Sequence, residues 1–306
     1  MNKFDIDGTL REMESLLSGG KLESSVPMKK FTTFKIGGPA DILYTADSKE
    51  EATEVISYCI RKGLPYFYIG GGSNLLVKDE GYRGVMIRPG TGMAQISVEG
   101  KLLKAGAGTR LSSVASAASG ASLSGLEFAA GIPGSVGGAV MMNAGAYDME
   151  IKDTIKSATA ILPDGNIKTF SADELDLSYR HSIFAENNAM IVEAEFELKD
   201  GNKEDIIAKI KDLNDRRRKK QPLEYPSAGS TFKRPKGDYA GRLIEASGCS
   251  DLAYGGARVS PKHAGFIIND ANATAADVLN LIEIVRLRVK EFSGVNLETE
   301  ICIVGE

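Results

Sequence analysis

A hydroxyl, a guanidinium and two crowded runs of glycine are the groups in this sequence that invite chemistry. Residues 227–235 read SAGSTFKRP, with Ser230 set among small residues and followed by two cations. Such a cluster suits a turn, and it also suits a proton carrier in a buried site; nine residues alone leave both readings open. Arg180 follows Tyr179 in LSYRHSIF, residues 177–184. Its guanidinium stays protonated and offers a planar fork to a carboxylate, or it is a surface cation. YIGGGSNLLV (68–77) follows an apolar run. Its backbone N–H groups would converge on a phosphate at a strand end, or simply make a tight turn. AAGIPGSVGGAVMMNAGAY (129–147) is dense in glycine and alanine between apolar flanks, so it is not a solvated linker. Buried backbone of that kind must find partners for its N–H and C=O groups. A flat or phosphorylated cofactor supplies them, and so does close strand packing.

Several chemistries are excluded. Gly70 and Gly72 fit the start of a dinucleotide fingerprint, but its third glycine would fall at Leu75, and no GK[ST] motif of a P-loop occurs. Only two histidines, His181 and His263, and three distant cysteines, Cys59, Cys249 and Cys302, are present, so neither a metal site nor a disulfide framework is expected. The cysteine usage fits a reducing cytoplasm. The formal net charge of −4 argues against general attraction to nucleic acid or membrane. The basic run Arg216–Lys220 reads as a solvated helix end, where cations complement the dipole. No apolar run reaches the roughly 18 residues of a membrane span, and the N-terminus lacks the apolar core of a signal peptide.

The elements that must position these groups follow from periodicity and caps. A helix is expected over 8–18, ending at Gly19–Gly20. Residues 41–72 read strand, helix, strand. Ser48 and Glu51 form an expected capping box, Ala52, Val55, Ile56, Cys59 and Ile60 a helical face, and Gly63 a stop. The second strand runs into Gly70. Residues 91–200 are rich in short strands, with a hairpin at Asp164–Gly165, an alternating strand in MIVEAEFEL, and one helix capped by Thr109. A helix over DGNKEDIIAKIKDLNDRRRKKQP (200–222), stopped before Pro222, turns Ile206, Ile207, Ile210 and Leu213 inward. A last helix runs from Thr274 to Gly294 with Val278, Leu281, Ile282, Val285 and Val289 on one stripe. A final strand lies in TEICIVG. The layout is α+β.

The two glycine-rich stretches, with FTTFKIGGPAD (31–41), LSYRHSIF, SAGSTFKRP, GGARVSPKHAGFIIN (255–269) and NLETEICIVG (296–305), resemble the UDP-N-acetylenolpyruvoylglucosamine reductase family in order and spacing over nearly the whole chain. The resemblance implies a two-lobed FAD-binding domain of the vanillyl-alcohol-oxidase type and a C-terminal α+β substrate domain. Its expected division is an N-terminal helix (1–20), a βαβ lobe (21–90), a β-rich lobe (91–203) and a substrate domain (204–306) whose last strand returns to the active site. It implies non-covalent FAD, since neither glycine stretch contains a histidine to attach it. NADPH is implied as co-substrate and a UDP-sugar as substrate, in a monomer or weak homo-oligomer.

Residue by residue, the resemblance gives cofactor contacts to Tyr68, Gly70, Gly71, Gly72, Ser73, Asn74 and Leu75. It gives further contacts to Gly131, Ile132, Pro133, Gly134, Ser135, Gly137, Gly138, Asn143, Gly145 and Ala146. It makes Arg180 the cation for the substrate carboxylate, Ser230 the proton donor and Glu300 the acid beside that carboxylate. Tyr179, Tyr225, Lys233, Lys262, His263 and Asn269 become substrate contacts, His263 being read more readily as a structural hydrogen bond. Two departures stand out. Thr299 takes the place of a proline common in the family. Only nine residues separate Arg180 from Met190, which leaves no room for the tyrosine-bearing insertion of larger members and marks a shorter subtype. Two other readings remain beside this one: a different FAD oxidase or dehydrogenase on the same scaffold, and a non-catalytic nucleotide-sugar-binding protein.

Overall fold

In the structure, a computed structural model that describes residues 5–17 and 19–306, Asp5 accepts the Gly8 N–H and starts helix Ile6–Leu16. The expected helix over 8–18 therefore begins two residues earlier; residue 18 lies outside the described residues. Contacts gather the chain into two compact units. One takes residues up to 24, 42–71 and 84–216, and the other takes 25–41, 72–83 and 217–306.

The first unit contains the βαβ arrangement read from the sequence. Ser48 accepts the Glu51 N–H at 3.1 Å and starts helix Lys49–Lys62. The capping box does not close, because Glu51 turns its carboxylate to the Asp47 N–H and the Tyr44 hydroxyl, both at 3.1 Å. Tyr44 is fully buried, and a buried hydroxyl must find a partner. Ala52, Val55, Ile56 and Cys59 pack with Ile42, Val85 and Ile87, whereas Ile60 stays 43 % exposed because the buried face ends one turn before the cap. Strand Tyr66–Tyr68 then runs parallel to strand Tyr82–Pro89, with Phe67 opposite Met86.

The β-rich part of this unit is a five-stranded antiparallel sheet in the order 167–171, 155–161, 190–197, 102–106, 96–99. The hairpin at Asp164–Gly165 is closed by Leu162 N–H donating to the Asn166 carbonyl at 2.8 Å. The cap expected at Thr109 falls instead on Arg110, which makes no side-chain bond there. Thr109 donates its hydroxyl to the Gln95 carbonyl at 3.3 Å, and its own carbonyl accepts the Val136 N–H at 2.8 Å. Leu111, Val114 and Ala118 face the core. In helix Lys203–Lys220 only Ile206 and Leu213 are buried, and Ile207 is half exposed. Burial at i and i+7 alone is a narrow stripe, and the next residue already lies about 100° round the helix.

The second unit has an antiparallel sheet in the order 227–230, 266–269, 257–259, 253–254, backed by helices Ala240–Ala246 and Ala275–Ser293. Thr274 and Asp277 close a capping box, and all five residues of the stripe from Val278 to Val289 are buried. They share a core with Phe34, Ile36, Leu76, Phe232, Leu297 and Ile301. Strand Cys302–Val304 runs parallel to strand Leu75–Val77, Cys302 opposite Leu75. Among the described residues no helix is long and apolar enough to cross a membrane.

Candidate active site

In the first unit the two glycine-rich segments lie against each other. A Cβ added at Gly70 would meet the Ser135 hydroxyl oxygen at 2.6 Å, and one at Gly71 would meet the Gly134 Cα at 2.8 Å. The second segment is laced to strand and helix backbone: Leu111 N–H donates to the Gly134 carbonyl at 3.2 Å and Gly137 N–H to the Ala107 carbonyl at 3.0 Å. Gly131, Ile132 and Pro133 lead into helix Val136–Met141, which contains Gly137 and Gly138. Close packing thus explains part of the glycine content. It does not explain two hydroxyls. Tyr68 Oη and Ser135 Oγ, one on each segment, are buried without a hydrogen-bond partner among the described residues. The neighbouring Tyr66 ring lies 5.5 Å from that of Tyr68, tilted and without closing a hydrogen bond. Burial first, and Tyr66 next, push the Tyr68 phenol well above its ordinary value, so it stays a neutral donor. Orphaned buried donors cost stability unless something polar satisfies them. A cofactor rich in oxygen acceptors, such as FAD, fits that requirement. Arg88, half-buried on the same unit's strand Tyr82–Pro89, was not picked out from the sequence; its one signal was a charge closing an otherwise apolar run, and burial lowers its pKa.

The end of the second glycine segment is tied into the surrounding chain. Asn143 is fully buried, and its Nδ2 donates to Glu150 Oε2 at 2.8 Å and to the Ser178 carbonyl at 3.0 Å, while its Oδ1 accepts the Lys152 N–H at 3.0 Å. Gly145 and Ala146 pair with Met149 and Glu150 in a short hairpin. Arg180 sits at the tip of a turn in which Ser178 and His181 exchange backbone hydrogen bonds of 3.3 and 3.1 Å. Its φ of 56° is the left-handed region, costly for a residue with a side chain and retained where the surroundings hold it. Those surroundings are visible: the Asn143 bond to the Ser178 carbonyl, and Ser182, fully buried, whose hydroxyl donates to the Met141 carbonyl at 2.8 Å. The guanidinium stands 5.1 Å from the centre of the Tyr179 ring, which is 45 % exposed.

In the second unit Ser230 ends strand Ser227–Ser230. Ser227 faces Ile268 and Ser230 faces Phe266, so three steps on one strand match two on the other. The extra residue is a β-bulge, a device that re-aims a side chain. Gly229, at φ 77°, supplies the backbone it needs. Thr231, buried, locks the chain just beyond the bulge: its N–H donates to the Gly265 carbonyl at 2.9 Å and its hydroxyl accepts the Ile267 N–H at 3.0 Å. Its carbonyl accepts the Glu300 N–H at 2.8 Å, and Lys233 N–H donates to the Glu298 carbonyl at 2.8 Å. Phe232 and Thr299 bridge between them, so the chain is paired where the family's proline is missing. Ser230 and Glu300 therefore stand on adjoining, hydrogen-bonded stretches. Asn74 Nδ2 donates to the Glu300 carbonyl at 3.1 Å. Gly72 has no room for a side chain, because a Cβ would run into the Phe31 carbonyl oxygen.

The remaining candidates differ in how firmly other groups engage them. Lys233 pairs with Glu298 at 3.5 Å and Lys262 with Glu224 at 3.4 Å, both near the surface. Tyr225 is 42 % exposed. Asn269 donates to the Phe34 carbonyl at 3.2 Å and accepts the Ala273 N–H at 2.8 Å, a structural use of its amide. His263 Nδ1 accepts the Gly265 N–H at 3.1 Å, and its ring meets Phe266 edge-on. Burial and the Lys220 charge lower its pKa, which keeps the accepting nitrogen free. Among the described residues no group of three or more His, Cys, Asp or Glu is placed to hold a metal ion.

Comparison with known proteins bears on both units. Residues 40–171 match the FAD binding domain model, and residues 221–304 match the model of the UDP-N-acetylenolpyruvoylglucosamine reductase C-terminal domain. The UDP-N-acetylenolpyruvoylglucosamine reductase of Syntrophomonas wolfei is 50 % identical over 295 residues, 96 % of this chain and 99 % of that protein. The chain belongs to the UDP-N-acetylenolpyruvoylglucosamine reductase family. The Clostridium novyi reductase is likewise 50 % identical, over 97 % of this chain and 96 % of that protein. The crystal structure of the Thermus caldophilus reductase superposes with a TM-score of 0.82 at 36 % identity, covering 94 % of this chain and all of that one. Both glycine-rich segments lie within the FAD-binding match, and Ser230 and Glu300 lie within the C-terminal match.

Proposed function

We propose that this chain reduces UDP-N-acetyl-enolpyruvoylglucosamine to UDP-N-acetylmuramate with NADPH, in the cytoplasmic synthesis of peptidoglycan precursors. The observation that carries the reading is 50 % identity to reductases of that name across 96 % of the chain, with both the cofactor and the C-terminal regions matched. The glycine-rich segments, with the Tyr68 and Ser135 hydroxyls as donors, would hold non-covalent FAD, which when bound would supply hydride transfer from NADPH to C3 of the enolpyruvyl group. Negative charge then spreads into the substrate carboxylate. Arg180 is the fixed cation for that charge; one such group is worth about 3 kcal/mol of barrier. Ser230 gives its proton to C2, completing the addition of hydride and proton across the double bond, and is recharged from solvent. A positioned acid of this kind contributes about 10²–10⁴-fold. Glu300 polarises the carboxylate end, and Lys233, Lys262, Tyr179 and Tyr225 are substrate contacts. Support for Ser230 comes from the bulge that sets its direction, and support for Arg180 from the strained turn held by Asn143 and Ser182. The chain acts as a monomer or weak homo-oligomer.

Purified protein should show flavin bands at roughly 370 and 450 nm, and NADPH should turn over steadily only with the enolpyruvyl UDP-sugar. Ser230→Ala should still be reduced by NADPH, while reoxidation by the sugar slows about 10²–10⁴-fold in rapid mixing. A flavin-free protein, or equal loss of both half-reactions, would refute the assignment.

A further inference from the structure

We infer that Asn74 is a positioning residue for Glu300, an inference that rests on the role proposed above for Glu300. The sequence placed Asn74 among the cofactor contacts; in the structure its Nδ2 donates to the Glu300 carbonyl at 3.1 Å. The Asn74 carbonyl accepts the Cys302 N–H at 2.9 Å, and from there the two strands continue in parallel. On the other side, the Glu300 N–H donates to the Thr231 carbonyl at 2.8 Å. Both peptide groups flanking the Glu300 Cα are therefore fixed, one by the residue after Ser230 and one by Asn74. Glu298, two residues earlier, is also held through its carbonyl, which accepts the Lys233 N–H at 2.8 Å, but its side chain is 76 % exposed in a surface ion pair with Lys233. An amide is the chemistry this needs. A carboxylate at position 74 is the same size but has no N–H to give, and it would set negative charge against the Glu300 carbonyl oxygen. Asn74→Asp thus removes the bond without opening a cavity. A misplacement of about 1 Å at a reacting group is enough to cost about 10²-fold in rate.

Holoenzymes carrying Asn74→Asp, Asn74→Ser and Glu300→Gln test this together. Flavin content, both half-reactions by rapid mixing, and the solvent deuterium isotope effect on the oxidative half are read for each. For Asn74→Asp the oxidative rate should fall at least about tenfold more than the reductive rate. Its isotope effect should move toward that of Glu300→Gln, and kcat rather than KM should drop. Equal losses in the two halves, or reoxidation at the unsubstituted rate, would overturn the inference. Loss of flavin from both Asn74 variants would return the residue to a cofactor role and overturn it as well. If Glu300→Gln alone leaves reoxidation intact, the proposed role of Glu300 fails, which is a different result from a silent Asn74→Asp beside an impaired Glu300→Gln.

Discussion

Replacing Gly71 by alanine pushes first on backbone. The new Cβ would lie 2.8 Å from the Gly134 Cα and 3.2 Å from both the Gly134 carbonyl carbon and the Ser135 nitrogen. Carbon atoms rest about 3.5–4.0 Å apart, so the two glycine-rich segments must separate by several tenths of an ångström. None of these three atoms belongs to a side chain that could swing aside. Overpacking of this size costs about 1–3 kcal/mol. On the reading that FAD lies on the closed segments, that cost falls on the bound state and weakens FAD affinity about 5- to 150-fold. Flavin-stripped protein titrated with FAD, followed by flavin fluorescence, measures it. Gly63→Ala is the control. Its φ of 64° strains an alanine, but nothing lies within 4 Å of the added atom. It should lose about 1 kcal/mol of stability and leave the FAD Kd unchanged. If Gly71→Ala lowers the melting temperature but binds FAD as tightly as the unsubstituted chain, the close approach is packing alone and the reasoning is wrong.

Other outcomes rest on single buried groups. Tyr68→Phe removes an orphaned hydroxyl, so the flavin-free protein should gain up to about 1 kcal/mol while FAD affinity falls; melts with and without FAD separate the two effects. Ser182→Ala removes the donor to the part-buried Met141 carbonyl and should cost about 0.5–1.5 kcal/mol, with kcat falling because the Arg180 turn loses a clamp; thermal melts and steady-state assays report both. His263 has its pKa held below the ordinary imidazole value of 6.5. The unfolded chain therefore takes up the proton first, and stability present above that pH is lost as the pH falls through it. The advantage of the unsubstituted chain over His263→Gln in melting temperature should be full at about pH 8 and shrink below about 6.5.

What the sequence made legible is what depends on neighbours in the chain. Ser48 as a cap, the stop at Gly63, the Asp164–Gly165 hairpin and the whole helix from Thr274 to Gly294 rest on side chains within a few residues of the backbone they satisfy. The errors arose where distant partners decide. Glu51 left its box for the buried Tyr44, and Thr109 left its cap for Gln95. The chemistry of the site was legible chiefly through resemblance, since SAGS reads as a turn until Phe266 and Ile268 turn it into a bulged strand. Nothing local foretold that Asn74 would reach Glu300, or that Arg180 would adopt a left-handed backbone held by Asn143.

The second unit is stitched from three stretches, and its Cys302–Val304 strand finds its mate at Leu75–Val77, far earlier in the chain. A fragment excised at residue 217 would leave that mate behind, along with Phe34, Ile36 and Leu76 of its core. Such a piece, although it spans the whole C-terminal family match, lacks part of its core and the mate of its last strand. During synthesis, residues 25–41 and 72–83 emerge well before the rest of their unit, which begins only at residue 217.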